Sequence, residues 1–203
     1  MRGGSRSVEK VTLRELEQLA LQAKSSLENQ AQSIGRDVMI YLHWTAGHYG
    51  HFFTDYHINI DADGSIYASM NDLSEVKSHT YRRNTGAVGI GLCCAYNAVT
   101  NDLGAEPPTA KQIEVSAQVV AALAQSLDLT IDYQHVMTHA EAADEDGYGP
   151  ATTCERWDLW FFDGVAQGEG GNVIRGKANW YLHSSDRYCL ENKRLEELYF
   201  TKH

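Results

Sequence analysis

The sequence of 203 residues predicts an α/β fold of the α+β layered kind, in which helices flank a central mixed β-sheet. Segments with apolar residues at helical spacing alternate with short apolar runs of strand length, which is the first reason for this prediction. The second is that turn-forming residues separate most of these segments. The hydrophobic fraction of 43% and the charged fraction of 22% are typical of a globular domain that buries its own core.

Two helices begin at capping boxes, in which a Ser or Thr and a Glu or Gln three residues later satisfy each other's backbone amides. The first box begins at Thr12, and apolar residues follow at helical spacing until Gly35. The second begins at Thr109, and its apolar stripe extends from Ile113 to Leu127. Both stripes are predicted to pack against the core.

Five short segments have the apolar or alternating pattern of β-strands. The first is a nearly continuous apolar run, which is typical of a strand covered on both faces. The Asp-Ala-Asp-Gly turn between the second and the third predicts a hairpin. The glycines of the fourth indicate a place where another group packs closely. The five segments are residues 38–43, 56–60, 65–67, 88–94 and 134–138.

The formal net charge of -10 excludes two classes of partner. A nucleic-acid binder needs a basic face that displaces counterions from phosphates. Attachment to an anionic lipid surface needs clustered cations, and no segment is apolar for long enough to span a bilayer. We therefore expect no nucleic-acid partner, no membrane insertion, and a substrate held by a shaped groove.

Three polar residues occupy positions at which a metal site is commonly built. His43 and His139 each lie at the end of a predicted strand, and Asp158 lies between large aromatic residues that exclude water from its carboxylate. Two imidazoles and one carboxylate, with one coordination position left open, are the composition of a catalytic zinc site. Spacing alone leaves a second interpretation open, in which both histidines are structural residues of the core.

Four segments resemble the type 2 N-acetylmuramoyl-L-alanine amidase family, which includes phage T7 lysozyme and the animal peptidoglycan recognition proteins. Their order and intervals are similar to the family's from about residue 38 to residue 162. The resemblance implies the amidase fold of that family and hydrolysis of the amide between the lactyl group of N-acetylmuramic acid and the first L-alanine of the peptidoglycan stem. The segments are YLHWTAG at 41–47, DYHINIDADGSIY at 55–67, SHTYRRNTGAVGIGLCC at 78–94, and THAEAAD at 138–144 followed by RWD at 156–158.

The resemblance also implies a Zn²⁺ cofactor whose ligands are His43, His139 and Asp158. A zinc ion held in this way lowers the pKa of a water molecule towards about 7, which makes a nucleophile available at neutral pH. The oxyanion that then forms at the amide carbonyl needs hydrogen-bond donors or positive charge nearby.

Three further residues are implied as catalytic helpers. Tyr56 matches a tyrosine that supports catalysis in phage-type members, and Arg156 stands where the family has a lysine. Because arginine does not release its proton, Arg156 is expected to stabilise the oxyanion and not to transfer protons. Glu141 has two interpretations, as a general base or as a residue that orients a metal ligand.

The substrate groove is expected to include Trp44, Thr45, His79 and Asn84. His79 and Asn84 resemble groove residues that contact the sugar or the peptide, and Trp44 is placed to stack on an apolar face of the substrate. A purely structural role is the alternative for each of them. The acidic insert at residues 144–148 also has two interpretations, a calcium site or a solvated loop.

The chain is expected to have three parts. Residues 1–35 form an N-terminal helix packed on the core, and residues 36–163 form the zinc amidase catalytic domain. Residues 164–203 contain a glycine-rich loop, at 164–176, and a tail with a short helix, at 190–199, which cap the same domain.

The expected function is that of a monomeric, bacteriolytic and antimicrobial amidase of the phage endolysin type. No signal peptide is evident at the beginning of the sequence. We therefore expect synthesis in the cytoplasm and action on the cell wall after release at lysis or export by another route. Two alternatives are a non-catalytic module that binds peptidoglycan and a cytoplasmic amidase that recycles muropeptides.

Overall fold

A mixed sheet of six strands forms the centre of the molecule in the computed structural model, which describes residues 8–184. The strand order is β1-β4-β3-β5-β2-β6. β2 lies between β5 and β6 and is parallel to both, and β3 is parallel to β5. The β3–β4 hairpin and β1 add antiparallel strands at the other edge. The strands are β1 Glu9–Val11, β2 Met39–Trp44, β3 Ile58–Ile60, β4 Ile66–Ala68, β5 Ala87–Leu92 and β6 Val136–Thr138.

Helices cover the sheet, as the sequence predicts. α1 extends over Leu13–Ser33, α2 over Ala110–Leu127 and α3 over His139–Glu145. A fourth helix, α4, begins at residue 170 and reaches residue 184, the last described residue. Both predicted capping boxes are present, at Thr12 and at Thr109. None of the described helices combines the length and the apolarity that are needed to cross a membrane.

The alternation of side chains along β2 divides the core into two clusters. Ile40 and Leu42 belong to the main cluster, together with the buried residues of α1 and α2. Tyr41 belongs to a smaller cluster that contains Ala142 of α3. Because successive side chains of a strand point to opposite faces, His43 lies on the same face as Tyr41. The central strand therefore presents His43 on the face that α3 covers.

The strand predictions hold for the centre of the sheet and are less accurate at its edge. The strand predicted at residues 56–60 begins only at Ile58, and β1 was not predicted at all. β1 has only three residues, Glu9–Val11, and none of them is buried. A segment so short and exposed has no apolar pattern by which a sequence can indicate a strand.

The prediction of a loop over residues 164–176 is wrong for its second half, because α4 begins at residue 170. A Cβ atom on Gly170 would overlap the carbonyl oxygen of Leu159, and one on Gly171 would overlap the carboxylate of Glu141. The glycines therefore permit close packing and do not form a turn. The short helix predicted at 190–199 lies outside the described residues, and the division of the chain into three parts stays a prediction.

Candidate active site

The topology of the sheet brings His43 and His139 together. His43 lies near the carboxyl end of β2, and His139 is the first residue of α3, directly after β6. β2 and β6 are parallel neighbours, so their carboxyl ends lie at the same edge of the sheet. Asp158 comes from the loop that follows α3, and its carbonyl accepts a 3.4 Å hydrogen bond from the backbone N–H of Ala140. This bond fixes the loop beside the first turn of α3.

The side chains of His43, His139 and Asp158 converge on one another. The two Nδ1 atoms are 3.1 Å apart, and Oδ2 of Asp158 lies 3.2 Å from Nδ1 of His139 and 3.5 Å from Nδ1 of His43. All three residues are buried. Among the described residues this is the group of three in which every potential ligand atom lies within 4.8 Å of the others.

The protonation states of the group suit a metal ion. Burial lowers the pKa of His43 to about 4, so its imidazole is neutral at neutral pH. Burial alone would raise the pKa of the Asp158 carboxyl, but hydrogen bonds from His139 and His43 hold that pKa below its usual range. Neutral imidazole and ionised carboxylate are the forms that bind metals.

The outward nitrogens of the two histidines face hydroxyl groups. Nε2 of His43 is 3.3 Å from Oγ1 of Thr80, and Nε2 of His139 is 3.5 Å from the hydroxyl of Tyr148. Such outer contacts orient a ligating imidazole and select its tautomer. They leave both Nδ1 atoms directed at the centre of the group, so the donor set fits a metal ion with two imidazoles, one carboxylate and an open side.

Sequence reasoning did not single out Thr80 or Tyr148. Thr80 lies next to His79 in a segment already recognised, and an outer partner for His43 could have been sought there. Tyr148 lies at the end of the acidic insert, where no spacing connects it to His139.

The acidic insert is held by arginine and backbone groups. Arg83 forms hydrogen bonds of 2.8 Å with both carboxylate oxygens of Asp146 and one of 2.9 Å with Glu145. The carboxylate of Asp144 accepts a 2.7 Å hydrogen bond from the backbone N–H of Ala151. Because these carboxylates already bind protein groups, they are neither open to a calcium ion nor freely solvated. The contacts therefore favour neither of the two interpretations of the insert.

Two adjoining cavities are lined by candidate ligands, His139 in both and Asp158 in one, and together they are called the groove below. One has a volume of about 480 Å³ and reaches Asp158, and the other has a volume of about 680 Å³ and reaches Tyr148. A larger cavity of about 850 Å³ has none of the candidate ligands in its lining. The groove is therefore the better candidate for a substrate site. The residues shared by its two cavities are Ser78, His79, His139, Glu155 and Arg156.

Tyr56 and Arg156 both line the groove. The ring of Tyr56 lies on Gly91, where a Cβ atom would come within 2.7 Å of it, and its centre is 5.1 Å from that of His43. Burial, together with the charge of Asp158, raises the pKa of the Tyr56 hydroxyl, which therefore stays protonated and is a donor. Arg156 is exposed at the boundary between the two cavities.

All four predicted substrate residues line the groove, and Trp44, Asn84 and His79 also contact other parts of the protein. Trp44 is buried and meets the ring of Trp157 edge-on at 4.7 Å. Oδ1 of Asn84 accepts hydrogen bonds from the backbone N–H groups of His79 and Thr80. The ring of His79 lies over Gly89, where a Cβ atom would come within 2.6 Å of it. The predicted close packing at the glycines of this strand is thus confirmed at Gly89 and at Gly91.

Glu141 lies apart from the other predicted catalytic residues. Each of its carboxylate oxygens accepts a 2.8 Å hydrogen bond from Arg175. One oxygen also accepts from the backbone N–H of Thr138, which completes a capping box at the beginning of α3. Glu141 lines neither cavity of the groove. Its contacts favour the interpretation of Glu141 as an orienting residue over that of a general base.

The fold and the group of three define the class of protein, a layered protein of helices on a mixed sheet with a group that could hold a metal ion at the carboxyl edge of that sheet. Residues 12–156 match the family described as N-acetylmuramoyl-L-alanine amidase (Amidase_2). The chain belongs to this family, and it is an N-acetylmuramoyl-L-alanine amidase that acts on peptidoglycan. The matched residues include His43 and His139 and end two residues before Asp158.

Comparisons with individual proteins add little to the family assignment. No curated protein matches the chain significantly. Among solved structures, an endolysin, the N-acetylmuramoyl-L-alanine amidase LysCS from Clostridium intestinale URNW, is 20% identical. The likeness covers 53% of this chain and 71% of LysCS, with a TM-score of 0.40. At that score it does not by itself show a shared fold.

Proposed function

We propose that this amidase depends on zinc and hydrolyses the bond between the lactyl group of N-acetylmuramic acid and the first L-alanine of the stem peptide. The observation that carries the proposal is the convergence of His43, His139 and Asp158, with potential ligand atoms all within 4.8 Å of one another, beside the groove. Two imidazoles and a carboxylate are a donor set that zinc prefers when a catalytic position stays open.

The metal would be held by Nδ1 of each histidine and by the carboxylate of Asp158, with Thr80 and Tyr148 orienting the two rings from outside. Zinc bound there supplies Lewis acidity towards the scissile carbonyl and lowers the pKa of a water molecule that it holds.

Tyr56 and Arg156 are proposed to stabilise the oxyanion that develops at the amide carbonyl. Both are donors at neutral pH, because the pKa of the buried Tyr56 hydroxyl is raised and a guanidinium does not lose its proton. Both line the cavity that contains Asp158. Donors fixed before the reaction stabilise developing charge without reorganising, so these two groups are suited to this role.

Trp44, Thr45, His79 and Asn84 are proposed to contact the substrate, because they line the two cavities on either side of Arg156. The filled ligand set argues against a module that only binds peptidoglycan. We propose a monomeric enzyme of the endolysin type, which cuts intact cell-wall sacculi. A muropeptide-recycling amidase has the same chemistry and differs in its substrate, which is a soluble anhydro-muropeptide.

The test is the release of peptides from purified peptidoglycan, followed by mass spectrometry. The wild type is expected to release stem peptides with a free N-terminal L-alanine and to leave the glycan intact. A zinc chelator and the variant His43→Ala should each reduce this rate on the order of 10³-fold, since a metal contributes several kcal/mol to the transition state. His51→Ala is a matched control, because His51 is exposed and belongs neither to the ligand group nor to the lining of the groove.

The outcomes separate the alternatives. Binding of sacculi by the wild type without any release would indicate a recognition module. Undiminished cleavage by the chelated enzyme and by His43→Ala would contradict the zinc site. Cleavage of soluble anhydro-muropeptides with no cleavage of sacculi would indicate the recycling enzyme.

A further inference from the structure

Arg175 of α4 is a buried arginine that lies close to the metal-binding group without belonging to it. It is 7% exposed. Its guanidinium donates 2.8 Å hydrogen bonds to both carboxylate oxygens of Glu141, one of 3.0 Å to the carbonyl oxygen of Val136, and one of 2.7 Å to Oδ1 of Asn172. A guanidinium with both of its terminal nitrogens on one carboxylate fixes the plane and the position of that carboxylate.

The partners of Arg175 lie on both sides of the candidate ligand His139. Val136 is three residues before it, on β6, and Glu141 is two residues after it, in the first turn of α3. Arg175 therefore joins the last strand before His139 to the helix that His139 begins.

The capping box at the beginning of α3 passes this restraint to the backbone beside His139. Oε2 of Glu141 accepts a 2.8 Å hydrogen bond from the backbone N–H of Thr138, and the backbone N–H of Glu141 donates to Oγ1 of Thr138 at 3.2 Å. Because the same carboxylate binds Arg175, any movement of the guanidinium would disturb the junction between Thr138 and His139.

α4 is packed closely enough to make this contact specific. A Cβ atom on Gly171 would overlap the carboxylate of Glu141, so the first turn of α4 lies directly on it. Ile174 and Ala178 anchor the helix in the main core. This helix lies beyond residues 12–156, the part of the chain that matches the family.

We propose that Arg175 is a positioning residue for the metal ligand His139, and that α4 is thereby part of the metal site. The inference rests on the proposed zinc site. A ligand must be held to within fractions of an ångström of its working position, and contacts that orient a ligand commonly affect metal affinity by 10- to 100-fold. Arg175 supplies such a contact through Glu141 and the capping box.

The test measures the zinc affinity of the full chain by competition with a chromogenic chelator. Arg175→Met is expected to weaken zinc binding by about 10- to 100-fold. Arg175→Lys, which keeps the charge and loses the fork, should lie between Arg175→Met and the wild type. Excess zinc should restore the amidase rate of both variants, because Arg175 touches no reacting atom.

Lys177→Met is the matched control. Lys177 is on the same helix and forms a 2.7 Å ion pair with Glu114 of α2, so its loss weakens the docking of α4 without touching α3. Zinc affinity should stay unchanged in this variant. If Lys177→Met weakens zinc binding as much as Arg175→Met does, the effect is general loosening of α4 and the proposal is wrong.

Glu141→Gln keeps the test decisive should Arg175→Met not fold. It removes the charge that Arg175 binds, and it should lower zinc affinity by a similar factor, with no further loss in the double variant. If Glu141→Gln and every folded Arg175 variant bind zinc as tightly as the wild type does, Arg175 has no positioning role. The proposed zinc site would not be affected by that result. Absence of zinc binding by the wild type would overturn both proposals.

Discussion

Two clusters of buried polar side chains adjoin His79, and they differ in where their polar atoms find partners. The metal cluster, named after the proposed zinc site, consists of His43, His139 and Asp158, and the structural cluster consists of His57 and Lys77. The ring centre of His79 is 5.3 Å from that of His43 and 5.6 Å from that of His57.

In the structural cluster the polar atoms bind backbone groups. Nε2 of His57 donates to the carbonyl of Glu75 at 2.6 Å, and Nδ1 accepts from the backbone N–H of Gly89 at 3.0 Å. The ammonium of Lys77 donates to the carbonyls of Thr54 and Ser69 at 2.8 and 3.1 Å. A buried polar group with such partners stabilises the fold without a ligand.

In the metal cluster the two Nδ1 atoms and the Asp158 carboxylate face one another. Two Nδ1 atoms separated by 3.1 Å share at most one proton, and the carboxylate of Asp158 lies within 3.5 Å of both. A cation at their centre would satisfy all three groups together. The comparison teaches that burial alone does not distinguish a ligand histidine from a structural one, whereas the partners of the ring nitrogens do.

The prediction with the largest expected effect tests how much the structural cluster contributes to the stability of the fold. His57→Leu removes the donor to the Glu75 carbonyl and the acceptor of the Gly89 N–H. Each of the two groups that loses its partner costs about 1–3 kcal/mol, so the free energy of unfolding should fall by roughly 2–6 kcal/mol. Urea unfolding at pH 7 measures the change, and zinc affinity of the folded variant should stay unchanged.

Leucine at exposed His51 serves as the control, and it should leave the stability unaltered. If His57→Leu is as stable as the wild type, the backbone contacts of His57 contribute nothing, and the division into a structural and a metal cluster fails.

The sequence predicts the layered fold and the two ends of strands that carry His43 and His139. Apolar runs and capping boxes are local patterns, and parallel strands align their carboxyl ends, so these features follow from short segments. The aromatic neighbours of Asp158 single it out, but only the resemblance to a family makes it a specific ligand prediction, because a loop residue leaves no periodic signal.

The sequence does not predict the contacts that complete the site. Arg175 lies 34 residues after Glu141, and the 2.8 Å bonds between them depend on how α4 packs. Gly170 and Gly171 resemble loop residues in the sequence, although they begin a helix, because their close packing is a tertiary property. The contacts that favour an orienting role for Glu141 over a base role depend on the same packing.

The next prediction has a smaller expected effect, and it concerns the stability that zinc adds when it binds the metal cluster. Zinc at about 100 times its dissociation constant should stabilise the metal-free wild type by about 2.7 kcal/mol, because it binds only the folded state. For a chain of this size, that corresponds to a rise in Tm of roughly 5–10 °C. Asp158→Asn should lose most of this rise, and His57→Leu should keep it. Differential scanning calorimetry measures both.

Magnesium is the control ion, since it prefers oxygen ligands and should produce no comparable rise. An equal zinc effect in Asp158→Asn would mean that the ion stabilises the chain elsewhere.

The smallest effect is a pH dependence that isolates His57. Burial, together with the charge of Lys77, lowers the pKa of His57 to about 3, whereas the unfolded chain has a histidine pKa near 6.5. Because the folded pKa is the lower one, the unfolded state binds more protons as the pH falls below about 6.5, and the wild type loses the stability that neutral His57 provides. The leucine variant has no such proton to bind.

The measurement compares the free energy of unfolding of the wild type with that of His57→Leu, in the absence of metal. The wild type is the more stable of the two at pH 8, and its advantage should therefore shrink by about 2 kcal/mol between pH 8 and pH 5. The lowered pKa of His43 has no contribution from His57, so its effect is the same in both proteins and cancels in this difference. A difference that does not vary with pH would mean that His57 carries a proton in the folded protein, and the backbone partners assigned to its two nitrogens would then be wrong.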